Sequence, residues 1–196
     1  MSIVKQNMFL YKLLLKISGW KVDENTPKQF NHCVMIAAPH TSNWDFYYCM
    51  LSMKVLKVPM KFTIKKQWFK FPFNLIIKPL GGVPIDTTKT KKNIKGGKVD
   101  LMAKLFDHYS NLVLMVTPEG TRSINQKWKT GFYHIAKTAN VPICLGYLDY
   151  KNKIAGVGKA IYPSGDVMKD MKEIMDFYIS KGAKFPRKFS LDSRYV

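Results

Sequence analysis

Three short apolar runs constrain this chain more than any other feature. Residues 33–38 (CVMIAA), 112–116 (LVLMV) and 141–148 (VPICLGYL) read as strands buried on both faces. A shorter strand is expected at 61–64. Residues 83–85 fit an edge strand because Pro84 lacks an N–H for a second neighbour. Residues 154–161 form another strand, with Gly156 and Gly158 inside it.

Between these runs the spacing turns helical. Residues 44–56 carry helix-compatible apolar positions. The basic stretch 89–98 opens a helix to about Tyr109, and a further helix within 127–140 is entered near Gly131. Pro163-Ser164-Gly165-Asp166 is a helix-start signal, followed by Val167, Met171, Ile174, Met175 and Tyr178 at helical spacing. The tail after Pro186 has no period and reads as a surface segment. Strands alternating with helices predict an α/β fold: a single domain whose largely parallel, mixed sheet is flanked by helices. No repeat or linker divides the chain.

Ligands of such sheets bind beyond the carboxyl ends of the strands. Two polar clusters stand there, His40 to Asp45 (HTSNWD) and Pro118 to Ser123 (PEGTRS). In the first, Asp45 is five positions after His40. A carboxylate that reaches back to one imidazole nitrogen fixes the tautomer and stabilises the imidazolium formed when the ring takes a proton. The pair then serves as a base toward a hydroxyl or amine. The plainer alternative has Asp45 capping a helix and His40 lying in a loop. No GxSxG supplies a nucleophile, and Cys33 and Cys49 sit in apolar runs as inert thiols. His40 is therefore expected to activate the substrate itself. A zinc site is not expected, since His32, His40, His108 and His134 are scattered with no HExxH and no cysteine pair. The three cysteines, odd in number and without CxxC spacing, fit a reducing compartment.

In the second cluster Gly120 permits close backbone approach. Arg122 offers a fixed fork of donors for phosphate or carboxylate, and Thr121 and Ser123 add hydroxyls. A turn with a solvent-facing arginine is the alternative.

Charge adds a partner. Among 196 residues, 32 Lys and Arg face 13 Asp and Glu, a net +19. That predicts attraction to nucleic acid, an anionic membrane surface or an acidic carrier protein. No run reaches the ~18–20 apolar residues of a membrane span. The stretch from Met8 to Ile17 is broken by Lys12 and Lys16, and no small-residue cleavage site follows it. The expectation is a cytoplasmic protein held peripherally at the inner face of a membrane. Leu10, Leu13, Leu14 and Ile17 fall at i, i+3, i+4 and i+7, widened by Met8, Phe9, Tyr11 and Leu15 and studded with Lys5, Lys12, Lys16 and Lys21. This N-terminal amphipathic helix suits a membrane interface; packing on the domain with snorkelling lysines is a compatible reading. Lys65, Lys66 and Lys70, interleaved with Trp68, Phe69, Phe71 and Phe73, form either a second membrane-facing segment or core aromatics with a lysine rim.

The two clusters, each after an apolar run, resemble the glycerolipid acyltransferase family, of the 1-acylglycerol-3-phosphate acyltransferase-like type. His40 and Asp45 meet its His-x4-Asp motif. Pro118 to Ser123 meet its Phe-Pro-Glu-Gly-Thr-Arg-Ser motif, with Thr117 in place of Phe. Gly82-Val83-Pro84-Ile85-Asp86 is similar to the family's second motif and Val141-Pro142-Ile143 to its fourth.

The resemblance implies acyl transfer in phospholipid biosynthesis, from acyl-CoA or acyl carrier protein to a hydroxyl of a lyso-lipid or related acceptor. It implies His40 as general base, Asp45 as its orienting partner, and no covalent acyl-enzyme. Glu119, Gly120, Thr121, Arg122 and Ser123 would shape the acceptor site. Thr87 stands where the second motif has an Arg tied to the acceptor phosphate, so Lys65, Lys66, Lys89 or Lys129 is the expected substitute. No metal or cofactor beyond the acyl donor is expected. Residues 1–21 would be the membrane-surface helix and 22–196 the acyltransferase domain. A basic nucleic-acid-binding module and a catalytically silent lipid-binding protein are the rival readings. The first leaves both clusters unexplained, and retention of His40 and Asp45 speaks against the second.

Overall fold

A computed structural model describes residues 3–23, 25, 30–85 and 97–196. Its centre is strand β2 (His32–Ala38), in which Cys33 to Ile36 and Ala38 are buried and His32 and Ala37 are half-buried. Side chains of a strand alternate between faces. Val34, Ile36 and Ala38 therefore join one core, and Cys33 and Met35 the other. A strand apolar at successive positions needs helices on both sides, and the chain supplies them. Helices α6 (Gly131–Ala139) and α7 (Val167–Tyr178) cover the first face through Phe132, Ile135, Met171, Ile174 and Tyr178. Helices α1 (Ile3–Ile17) and α2 (Asn43–Val55) cover the second through Leu15, Met50, Leu51 and Met53.

Seven strands form one sheet in the order β1-β7-β6-β2-β5-β3-β4. They are β1 (Lys21–Val22), β2, β3 (Met60–Lys65), β4 (Gly82–Ile85), β5 (Leu112–Val116), β6 (Ile143–Asp149) and β7 (Ile154–Ile161). Among the described residues only the β6–β7 pairing is antiparallel. The largely parallel α/β sheet follows the alternation of elements, and β4 with its Pro84 lies at the edge. Because β2, β5, β3 and β6 are mutually parallel, their carboxyl ends share one edge. Residues 39–42, 117–123, Lys66 and Tyr150 all follow those ends.

Four expectations change. The helix expected to run from the 89–98 stretch to Tyr109 is two short helices in the described residues, α4 (Gly97–Ala103) and α5 (Leu105–His108). Asp86, Thr87 and Lys89 lie outside the described residues. The tail after Pro186 is irregular but pinned rather than loose. The fully buried Asp192 accepts the Trp128 backbone N–H at 2.8 Å and the Arg194 guanidinium at 2.6 Å, while Arg194 donates to the Trp128 carbonyl at 2.8 Å. That carboxylate leaves no periodic pattern because one of its partners is a backbone N–H 64 residues away and the other is the nearby Arg194.

Helix α1 has two apolar stripes, not one. Leu15 is buried, with Tyr11 and Leu14 packed beside it against the α2 side. Phe9, Leu10, Leu13 and Ile17 stay exposed, Ile17 at 75%. A hydrophobic period identifies an apolar face, but two stripes compete for one docking surface, and the larger of them lost. Finally, Phe73 does not belong to the core: Phe71, Phe73, Leu75 and Ile76 all face outward, Phe71 at 78%. Contiguous apolar exposure of this kind marks a contact surface.

Candidate active site

The turn after β2 carries the site. Ser42 is the N-cap of α2, its Oγ accepting the Trp44 N–H at 3.1 Å. Asp45 completes a capping box. Its Oδ2 accepts the Thr41 N–H at 2.6 Å and the Ser42 N–H at 2.8 Å, and its Oδ1 accepts the Ser42 hydroxyl at 2.9 Å. Three helix-start donors are thereby satisfied, and the positive end of the helix dipole faces the carboxylate. The same Oδ2 lies 3.4 Å from His40 Nδ1. The carboxylate that caps the helix is also the one that faces the imidazole.

Asp45 is 4% exposed, and burying a carboxylate is costly unless its lone pairs are filled. They are filled here. Tyr150 donates its hydroxyl to Oδ1 at 2.7 Å. Burial opposes ionisation of Asp45, but donors from His40, Tyr150, Ser42 and Thr41 outweigh it and hold the carboxyl below its usual range. The group is therefore an anion across the neutral range.

The turn after β5 meets the first turn through Glu119. Its Oε1 accepts the His40 backbone N–H at 2.7 Å, and its own carbonyl accepts the Asn125 side-chain amide at 2.8 Å. At 1% exposure the Glu119 side chain is buried and acts as a strut that ties the two loops together. Burial pushes its carboxyl up to about 8, with the Asp45 charge adding to the rise against the His40 hydrogen bond.

Gly120, at φ +67°, takes the left-handed backbone that favours glycine. The Lys129 side chain lies across it, where a Cβ would meet the ammonium at 2.6 Å. Thr121, Arg122 and Ser123 are exposed and line an open polar basin of about 400 Å³ together with His40, Thr117 and Gly120. Lys65 and Lys66 end β3 on the same sheet edge, two strands from β2. That spacing is about 10 Å at the level of the backbone. The structure thus gathers Arg122 and Lys129 at the basin and leaves Lys65 and Lys66 on its flank.

On its other side His40 lines a narrow apolar slot of about 50 Å³ that runs into the core. Phe46, Cys49, Met53, Met115 and Leu148 form its walls, with Met35 and Gly146 deeper. Burial, with the Asp45 charge second, pushes the Cys49 thiol up to about 12, which makes it an inert wall and not a nucleophile. Among the described residues no three His, Cys, Asp or Glu side chains gather where they would share an ion.

Sequence reasoning missed Tyr150, the slot and the strut role of Glu119. Tyr150 directly follows β6, so the rule that sites collect beyond parallel strand ends already pointed at it. The slot is built by contacts between distant elements and has no local signature.

The acyltransferase family model matches residues 20–144, which hold both polar clusters and more than half of the chain. The chain belongs to the acyltransferase family. No curated protein matches it significantly. Among solved structures it is similar to that of the 1-acyl-sn-glycerophosphate (LPA) acyltransferase PlsC from Thermotoga maritima. The TM-score is 0.58 at 18% identity, over 89% of this chain and 76% of that one. At this identity the likeness is one of fold.

Glu119 yields a signed prediction. Its folded pKa of about 8 lies above the ordinary value of 4.5, so the neutral acid is the form that folding favours. The stabilisation is complete below pH 4.5 and is lost as pH rises toward 8. Glu119→Gln fixes the side chain in a neutral state. Its stability relative to the native chain should rise between those pH values, by an amount on the order of a few kcal/mol. Urea titrations at several pH values check this, and a constant difference would show that Glu119 does not titrate in that window.

Proposed function

We propose that this chain transfers a fatty acyl group from an acyl thioester, on CoA or acyl carrier protein, to a hydroxyl of a lysophospholipid-type acceptor. The observation that carries the reading is the position of His40, which lines both a dry slot and a cationic polar basin. An acyl chain fits the first kind of surface and an anionic head group the second.

In this mechanism His40, oriented by Asp45, removes the proton of the acceptor hydroxyl. The oxygen attacks the thioester carbonyl, and the tetrahedral intermediate expels the thiolate. The imidazolium returns the proton to the departing sulfur. Asp45 stabilises the imidazolium between the two transfers. No acyl-enzyme forms. The slot is narrow at rest, but Met35, Met53 and Met115 are flexible side chains that repack around an entering chain. Arg122 grips the anionic head group, Lys129 adds charge across Gly120, and Thr121 and Ser123 supply hydroxyls. The relative PlsC carries lysophosphatidic acid in its name, which supports a phosphate-bearing acceptor here as well. With Thr87 in place of the second-motif Arg, the phosphate rests on Arg122 and Lys129, and other lyso-lipids compete as acceptors.

The protein works at a membrane surface in this reading. No helix of the described residues is long and apolar enough to cross a membrane. The exposed stripe of α1 and the segment holding Phe71, Phe73, Leu75 and Ile76 supply apolar contact, and the net +19 draws the chain to anionic lipid.

Two measurements test this reading. Acyl transfer is assayed over a panel of lyso-lipids with CoA and carrier-protein donors. Arg122→Ala is expected to raise KM for the acceptor far more than for the donor. Equal rises, or no turnover with any pair, would overturn the assignment of the basin or of the activity. In co-sedimentation, binding to anionic liposomes should weaken as salt rises to ~0.5 M, as the Debye length shrinks below about 10 Å. Replacing Phe9, Leu10, Leu13 and Ile17 by Ser should remove the salt-resistant part. Absence of binding at low salt would assign the positive charge to another partner.

A further inference from the structure

We propose that Tyr150 is a positioning residue for the His40–Asp45 pair, and that Trp20, just after α1, holds Tyr150 in place. This rests on the acid–base role proposed for that pair. The two oxygens of Asp45 divide their partners. Oδ2 takes the two backbone N–H groups and faces His40, while Oδ1 takes the Ser42 hydroxyl and the Tyr150 hydroxyl. Thr41 and Ser42 are local, four and three residues away, and fix the carboxylate only to its own helix start. Tyr150 is 105 residues away and fixes that helix start to the end of β6. An ionised carboxylate only accepts, so the phenol must donate. Burial, then the hydrogen bond and charge of Asp45, push the phenol far above its ordinary range and keep it a donor at every working pH.

The ring is held as closely as the hydroxyl. Trp20 is 5% exposed and meets Tyr150 edge-on at 4.8 Å and 88°. Trp20 stacks on Tyr48 at 4.7 Å, and Tyr48 meets Tyr150 at 6.2 Å. The Lys184 ammonium lies 5.8 Å from the Tyr150 ring centre and 4.9 Å from that of Trp44. The Trp20 backbone N–H donates to the Leu15 carbonyl at 2.8 Å, which fixes the residue's backbone to the end of α1. The N-terminal helix therefore supports the catalytic pair through two aromatic side chains, beyond any part it plays at a membrane.

The Tyr150 hydrogen bond draws on the negative charge of Asp45. Tyr150→Phe keeps the ring and removes only the hydroxyl, leaving more of that charge to face His40. The imidazolium becomes easier to form. Other groups facing the pair stay in place: Glu119 on the His40 N–H, Cys49 on α2, Tyr147 on β6, Tyr48 beside the ring and Lys184 above it. The acid limb of kcat/KM should move to higher pH. Turnover near pH 6.5 should fall about 3- to 30-fold, with partial recovery in base and little change in either KM.

The experiment pairs these kinetics with NMR titration of the ¹⁵N-labelled His40 imidazole in the full chain. The native protein is compared with Tyr150→Phe, Trp20→Phe and Trp20→Ala. Tyr150→Phe should raise the His40 midpoint, Trp20→Ala should raise it less, and Trp20→Phe should leave it close to native. An unchanged midpoint and acid limb in Tyr150→Phe, even with a lower Tm, would overturn the proposal and leave Tyr150 a packing residue. A shift in Tyr150→Phe but none in Trp20→Ala would overturn the role of Trp20 alone. The titration needs no turnover, so an inactive native protein would count against the proposed activity while the midpoint still decides the positioning.

Discussion

A buried carboxylate at the first turn of a helix sets the terms for the rest of this structure. Asp45 sits in the interior as an anion, which is tolerable only because four donors fill its lone pairs and a helix terminus faces it. Each donor fixes something. Thr41 and Ser42 fix the turn after β2, Tyr150 fixes the end of β6, and the remaining face of the carboxylate is turned to His40. The partners that make the charge tolerable are the partners that define the geometry of the pair.

The sheet supplies the frame. Strands β2, β5 and β6 are adjacent and parallel in sense, so the residues after each of them meet at one edge. Helices on both faces account for the apolar runs and keep those strands dry. Glu119 then joins the β5 turn to the β2 turn through the His40 N–H. A second acidic side chain is buried near the first, and the two differ because their surroundings differ. Asp45 has four donors and stays ionised, while Glu119 has one donor from His40 and is held toward its neutral form. His40 lies between them, with a dry slot behind and a cationic basin in front.

Much of this was legible in the residues. The apolar runs at 33–38 and 112–116 became the central strands because uninterrupted apolar sequence has few other uses at that length. The edge position of β4 followed from Pro84 and its missing N–H. His40 and Asp45 were legible because their contact is local and five residues apart. What stayed hidden depends on contacts between distant segments. Tyr150 reaches Asp45 over 105 residues, Asp192 reaches Trp128 over 64, and neither leaves a periodic trace. Glu119 carried the motif but not its orientation, because sequence does not say which way a loop carboxylate turns. The apolar period of α1 announced a face, yet Tyr11, Leu14 and Leu15 pack inward while Phe9, Leu10, Leu13 and Ile17 stay exposed.

In the proposed mechanism the charge of Asp45, and not only its capping bonds, serves the chemistry. Asp45→Asn separates the two, since the amide oxygen still caps the helix while the charge beside His40 is gone. The measurement is kcat for acyl transfer by a variant whose circular dichroism and thermal unfolding match the native chain to within the loss expected for a weakened cap, about 1 kcal/mol. A fall of ~10²–10⁴ is expected. Turnover within a few-fold of native in a folded Asp45→Asn protein would contradict it and leave Asp45 a helix cap alone.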